Sequence, residues 1–151
     1  MPDTDWMLRK FLLLLLTAGY AWVVWRMTLT PQVFTSSGQH FVGTVLRFAQ
    51  GHAATDWLTY DRAEFLANVA MFVPIGMIGA MWLPRRAWLV AAVLAVALSV
   101  GIEFVQLTAL PTRVADPRDV LSNGLGGLLG ATLVGAVRSA MPERRRRIRT
   151  V

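Results

Sequence analysis

The chain has 151 residues, 55% of them hydrophobic and 16% charged, against roughly 25% charged in an average protein. It has no cysteine, which excludes disulfides, zinc–thiolate sites and cysteine nucleophiles. The net charge is +6, and Arg144 to Arg149 hold five of the fifteen Lys and Arg. Beside membrane spans such a tail reads as a positive-inside anchor, and no second basic surface suggests nucleic-acid binding.

Crossing the ~30 Å hydrocarbon layer takes about 20 mostly apolar residues in a helix, and the sequence offers four such runs. The first is about residues 11–29. Arg9 and Lys10 before it also suit a signal peptide, but no clean small-x-small cleavage site follows, and Trp22 and Trp25 fit a membrane-interface belt. An uncleaved first helix is expected. The long link, residues 30–64, places Phe41, Val45 and Phe48 at i, i+4, i+7, one apolar helix face. This predicts an extra interfacial helix in the first outer loop, lying along the membrane surface. His40 and His52 are isolated and read as surface polar residues, not metal ligands.

The second run is about residues 65–83 and contains Pro74, tolerated in a membrane helix when neighbours satisfy the freed carbonyl. A tight link, residues 84–86, leads to the third run, about 87–110, and residues 111–119 lead to the fourth, about 120–141. The expected fold is therefore all-α, a polytopic membrane bundle of four transmembrane helices forming a single domain over residues 1–151, with a basic tail from 142. With the N-terminus cytoplasmic, Arg9, Lys10, Arg85, Arg86, Arg138, Arg144 to Arg147 and Arg149 lie inside, ten in all. Arg26, Arg47, Arg62, Arg113 and Arg118 lie outside, five in all. The asymmetry predicts both termini in the cytoplasm.

Polar groups inside a bilayer are costly, so each needs a partner or a role. Glu103 lies seven residues before Leu110, about 10 Å below the end of the third span at 1.5 Å per residue. Ser99 and Gln106 share its face. Asp61, Glu64 and Asn68 repeat the pattern on the second span, and Asp116, Asp119 and Asn123 on the fourth. Three helices thus bring carboxylates and amides toward one outer region, with Arg113 and Arg118 in the link above it.

Structural readings compete for some of these residues. Asp116 suits the N-cap of the fourth helix, Pro117 its first position and Asp119 its third, a capping-box-like start. Asn68 and Asn123 suit interhelical hydrogen bonds. Glu103 has no capping explanation. Its candidate partners are Arg113, Arg118, a bound cation, or Asn68 or Asn123 against a protonated carboxyl. Gly126 and Gly130 form a G-x-x-x-G, with Gly127 and Ala131 one step on, and Gly76, Gly79 and Ala80 in the second span could face them. Small residues at this spacing let helix backbones approach, which here predicts packing within the bundle.

The stretches "NVAMFVPIG" (Asn68 to Gly76), "EFVQ" (Glu103 to Gln106) and "RVADPRDVLSNGLGGLLGA" (Arg113 to Ala131) resemble the VanZ family of small bacterial membrane proteins. The resemblance covers about residues 64–135 in order and spacing. Carried over by position, it marks Asn68, Phe72, Pro74, Gly76, Glu103, Gln106, Arg113, Asp119, Asn123, Gly126 or Gly127, and Gly130. The family's eponym is associated with resistance to teicoplanin. The resemblance thus implies the cytoplasmic membrane of a bacterium and an envelope role, with an envelope lipid or peptidoglycan-related ligand as partner.

Three functions follow as expectations. The first is a protein that binds or modifies an envelope component at an outer site of Asn68, Glu103, Gln106, Arg113, Asp119 and Asn123. Its arginines and the fourth helix N-terminus would serve anionic groups. The second is an enzyme on a lipid-linked substrate, using paired carboxylates as acid and base or as ligands to a divalent ion. Against it, the cluster has no histidine and no nucleophile motif. The third is a proton-coupled transporter built on Glu103, disfavoured because the polar residues gather near one side. No cofactor and no resident metal are expected.

Overall fold

A computed structural model describes residues 3–30, 55, 57–110 and 116–141. The segment expected to form an interfacial helix, together with His40, His52, Arg113 and the basic tail, lies outside the described residues. The described chain forms four long helices: α1 (Asp3–Thr28), α2 (Tyr60–Trp82), α3 (Trp88–Ala109) and α4 (Pro117–Ala140). A 3₁₀ turn, Arg85–Ala87, joins α2 to α3. All four are long and apolar enough to cross a membrane.

Helix ends follow capping chemistry more than the limits of the apolar runs. α1 begins eight residues before the first apolar run, because backbone hydrogen bonding does not require apolar side chains. Lys10 there places its ammonium 4.3 Å from the centre of the Trp6 ring, a cation–π contact one turn along the helix. α2 begins at Tyr60, five residues before its apolar run, where the Thr59 side chain accepts from Arg62 N at 3.4 Å. α4 starts where the sequence suggests, with Asp116 as N-cap, its Oδ1 accepting from Arg118 N at 2.8 Å, and Pro117 in the first turn.

α1 and α3 end where α2 and α4 begin, so the polar positions of four helix ends meet at one end of the bundle. At the opposite end Arg138 of α4 donates to Ala80 O at 2.6 Å and Leu83 O at 3.0 Å. Arg85 donates to Ser139 O at 2.7 Å. The two guanidinium groups supply donors to carbonyls that have no partner within their own helix ends.

The interior is built from small side chains. Ala80, Ala91, Ala92 and Ala131 form one buried cluster, and Phe72, Ala95, Ile102 and Val24 another. Large aliphatics such as Val93 and Leu107 point outward, the arrangement expected when the surroundings are hydrocarbon and close helix approach supplies the packing. The closest approach is between α2 and α4. A Cβ on Gly126 would strike Val69 O, one on Gly130 would strike Val73 O, and one on Gly76 would strike Gly127 O. The G-x-x-x-G is thus a seam inside the bundle, and Gly76 is its counterpart on α2. Gly79 instead faces Ala91 of α3.

Candidate functional site

The fourth helix organises the polar end of the bundle. Asp116 caps it, and Asp119 and Asn123 follow at the third and seventh helical positions, one turn apart on the same face. In a capping box the third-position side chain reaches back to the N-cap N–H. Here that N–H donates instead to Glu103 Oε2 of α3, at 3.1 Å. Asp119 is thereby released from the local box. Its Oδ1 accepts from Asn68 Nδ2 of α2 at 2.8 Å. One cap is closed by a neighbouring helix, and the residue displaced from it ties in a third.

A turn deeper, Asn123 Nδ2 donates to Ser99 Oγ of α3 at 2.8 Å. Both residues are buried, Asn123 with 4% of its surface exposed and Ser99 with none. The other half of the amide, Oδ1, is buried with no hydrogen-bond partner among the described residues. Turning the amide over would pair Oδ1 with the Ser99 hydroxyl and leave Nδ2 in its place, so either orientation leaves one polar atom of Asn123 open. A buried unpaired polar atom costs roughly 1–3 kcal/mol, which makes this position an acceptor or donor in waiting. Ser122, fully buried, donates to the backbone at Asp119 O, 3.0 Å away, and its hydroxyl does not reach Asn123 in any contact described. Sequence reasoning overlooked Ser122; the only signal was a small polar residue between two positions already singled out.

The other sequence-marked residues divide. Gln106 is buried, 5% exposed, but turns away from the carboxylates: its Nε2 donates to Thr28 O at the end of α1, at 2.8 Å. It therefore fastens α1 rather than joining the Glu103–Asp119 group. Asp61 and Glu64 are exposed near the start of α2, and Arg118 is exposed at the rim. Of the partners considered for Glu103, none among the described residues is the one found; the Asp116 backbone N–H was not foreseen. Phe72 is fully buried against Val24, Ala95 and Ile102. Pro74 cannot donate to Ala70 O, and Tyr20 of α1 donates into that same interrupted turn, to Met71 O at 2.7 Å.

The arrangement has a definite electrostatic consequence. The first backbone donors of α4 are already engaged: Asp116 N by Glu103, Arg118 N by the Asp116 carboxylate, and Asp119 N by Asp116 O at 2.8 Å. The expected anion-binding role of this helix terminus is met by the protein's own carboxylates. Two acidic side chains from different helices, Glu103 and Asp119, therefore present acceptor oxygens, flanked by the amides of Asn68 and Asn123. No group of three His, Asp or Glu suited to a metal ion is found among the described residues.

Comparison with curated proteins and with solved structures returned no match. A family model described as VanZ/LLP1 matches residues 10–138, most of the chain and all four helices in whole or large part. The polar positions of α2, α3 and α4 and the glycine seam all fall inside that match, and the chain belongs to the VanZ/LLP1 family.

Proposed function

We propose that this VanZ-like membrane protein receives the polar part of a cell-envelope component at the bundle end formed by Asn68, Glu103, Asp119 and Asn123. The observation that carries the reading is the pairing of Glu103 with the Asp116 N–H and of Asp119 with Asn68, which gathers two carboxylates from two helices at one end of an apolar bundle. Acceptor oxygens on Glu103 and Asp119, with the unpaired Oδ1 of Asn123 a turn deeper, favour a ligand rich in hydroxyl, amide or amine donors, as sugars and peptides of the envelope are. Arg113, in the sequence, and Arg118, at the rim, are suited to a phosphate or carboxylate on the same ligand. The excess of Lys and Arg on the opposite side supports an extracytoplasmic site with both termini in the cytoplasm of a bacterium.

The reading extends to glycopeptide susceptibility, with teicoplanin as the reference drug. In a host whose teicoplanin susceptibility depends on the chain, Glu103→Gln and Asp119→Asn should abolish the effect while the protein stays in the membrane at parental level. Retention of the full effect by both variants would reduce the cluster to a structural role. A C-terminal fluorescent fusion should be bright and a C-terminal alkaline phosphatase fusion inactive; the reverse would place the site on the cytoplasmic side.

A further inference from the structure

Glu103, a half-buried carboxylate within α3, has one hydrogen bond, from Asp116 N at 3.1 Å. No Lys or Arg among the described residues forms an ion pair with it. The charges acting on it there are the carboxylates of Asp119 and Asp116, both of its own sign. Arg118 is exposed at the rim and meets Asp116 through its backbone N–H, not its guanidinium. A carboxylate set into an apolar bundle beside two others calls for a positive or donating partner.

A second observation points the same way from below. Asn123, with 4% of its surface exposed, holds Ser99 through Nδ2 and leaves Oδ1 buried and unpaired among the described residues. Asn123 follows Asp119 by four residues on α4, and Ser99 precedes Glu103 by four on α3. The Asn123–Ser99 bridge therefore crosses the α3–α4 gap one turn beneath the carboxylates. Deeper still the gap is closed, since a Cβ on Gly127 would strike Ala95 Cβ. A side chain on a helix leans toward its own N-terminus, which for α4 is the polar end. A group that reaches Asn123 Oδ1 thus comes from the side of Glu103 and Asp119.

The donors around this space are largely engaged. Asn68 Nδ2 serves Asp119, Asn123 Nδ2 serves Ser99, and the N–H groups of Asp116, Arg118 and Asp119 are bonded within the protein. An anion brought here would meet like charge. A hydroxyl offers one O–H, whereas a primary ammonium offers three N–H donors and a full positive charge from one atom. No group of three His, Asp or Glu suited to a metal ion competes for that role among the described residues.

We infer that the group received between Glu103 and Asn123 is a primary ammonium, carried by a small zwitterionic head whose anionic part lies outward toward Arg118. The inference rests on the proposed function and narrows its ligand from donor-rich groups to amines.

The test uses the full chain in detergent, with lipid affinity read by native mass spectrometry for three lipids of identical acyl chains. Phosphatidylethanolamine has the primary ammonium. Phosphatidylcholine keeps the charge without an N–H, and glucosyl diacylglycerol offers O–H donors without charge. The ethanolamine lipid should bind about tenfold more tightly than either comparator, the factor that one hydrogen bond to a charged group supplies. Glu103→Gln should erase that preference, and Asp61→Asn, at the exposed start of α2, should keep it. Asn123→Leu should weaken the ethanolamine lipid about threefold, the factor of one interhelical hydrogen bond. Soluble glycerophosphoethanolamine is added as competitor: displacement assigns recognition to the free head, its failure assigns it to the lipid-borne group, and both uphold the ammonium. Equal affinity for the ethanolamine lipid and either comparator, or a preference unchanged in Glu103→Gln or Asn123→Leu, would overturn the inference. If the glucosyl lipid then binds in a Glu103-dependent way, the polar-end reading stands without the amine. If no lipid loses affinity in Glu103→Gln, the reading falls with it.

Discussion

Between α2 and α4, glycines bring two backbones together until no side chain separates them. Between α1 and the neighbouring α2 and α3, three side-chain hydrogen bonds bridge a gap: Trp82 to Thr17, Tyr20 to Met71 O and Gln106 to Thr28 O. The contrast shows in burial: 39% of the apolar window of α4 is buried inside the bundle, against 6% of that of α1. In hydrocarbon there is little hydrophobic gain from helix association, so packing and hydrogen bonds decide which helices hold tightly. α2, α3 and α4 form the closely packed part and carry every carboxylate of the candidate site. α1 is the helix whose position the rest of the fold constrains least.

The comparison breaks most sharply at the seam. In Gly130→Leu even the first side-chain atom would meet Val73 O, with Met77 N at 2.9 Å, and two backbones cannot yield as a flexible side chain does. Overpacking of this kind costs typically 1–3 kcal/mol and occasionally more, about the largest single loss expected here. Gly19→Leu, on the part of α1 where a Cβ meets nothing within 4 Å, should stay within about 0.5 kcal/mol of the parent. Thermal unfolding in detergent, followed by helix signal, separates the two. Equal losses would mean that the seam is no tighter than the α1 face.

Next in size is the tie between α2 and α4 at the polar end. Asn68→Leu removes the donor to Asp119, a hydrogen bond to a carboxylate, worth about 1.5–3 kcal/mol where it is well buried. Asn68 and Asp119 are only half-buried, which places the expected loss at the lower limit of that range. A double-mutant cycle with Asp119→Leu should give a coupling above about 0.5 kcal/mol. Additive losses would show that the two side chains do not depend on each other.

Glu103 offers a finer test of the borrowed cap. Glu103→Gln keeps an oxygen able to accept from Asp116 N–H, so stability should change by less than about 0.5 kcal/mol. Glu103→Leu leaves the N–H without that partner and should cost about 1 kcal/mol. Identical losses in the two variants would remove the cap from the account of Glu103 and leave its charge as the reason for its presence. The same pair separates stability from function, since Glu103→Gln is expected to lose the susceptibility effect while remaining folded.

The sequence is informative where one helix decides the matter and silent where two must meet. Four spans are legible because about 20 apolar residues in a row have few other uses. Asp116 and Pro117 reveal a cap because capping is local. The spacing of Gly126 and Gly130 reveals a close approach, and Gly76 among nearby small residues hints at the facing side. That the cap N–H would be taken by Glu103, freeing Asp119 for Asn68, is a fact about the relative height of α2, α3 and α4, which no local pattern encodes. Gln106 misleads for a related reason. It shares a stripe with Ser99 and Glu103, but three residues further on it has rotated about 60° from Glu103 and risen about 4.5 Å, enough to face α1 instead of α4. Arg138 reads in the sequence as a sidedness charge; folded, it also caps α2.

The smallest effect tests the loose side of the comparison. Tyr20→Phe removes one of the three ties of α1 without changing its shape, and interhelical hydrogen bonds in membranes average about 0.6 kcal/mol. A loss that small is hard to read from unfolding, but the position of α1 is easier to follow. The chain has no native cysteine, so a single pair at Ala21 of α1 and Ile75 of α2, which line the same apolar groove between α1 and its neighbours, reports the distance between the helices through the rate of disulfide formation. With Tyr20 present the rate reflects a held groove. In Tyr20→Phe, α1 samples more positions and the rate should change about two- to threefold, the factor that 0.6 kcal/mol corresponds to. The same substitution should leave a cysteine pair across the α2–α4 interface unaffected, because the close approach there is between the backbones of α2 and α4 themselves. A change of equal size at both places would mean that α1 and the seam form one rigid body, and the division between a packed part and a tethered helix would no longer describe this fold.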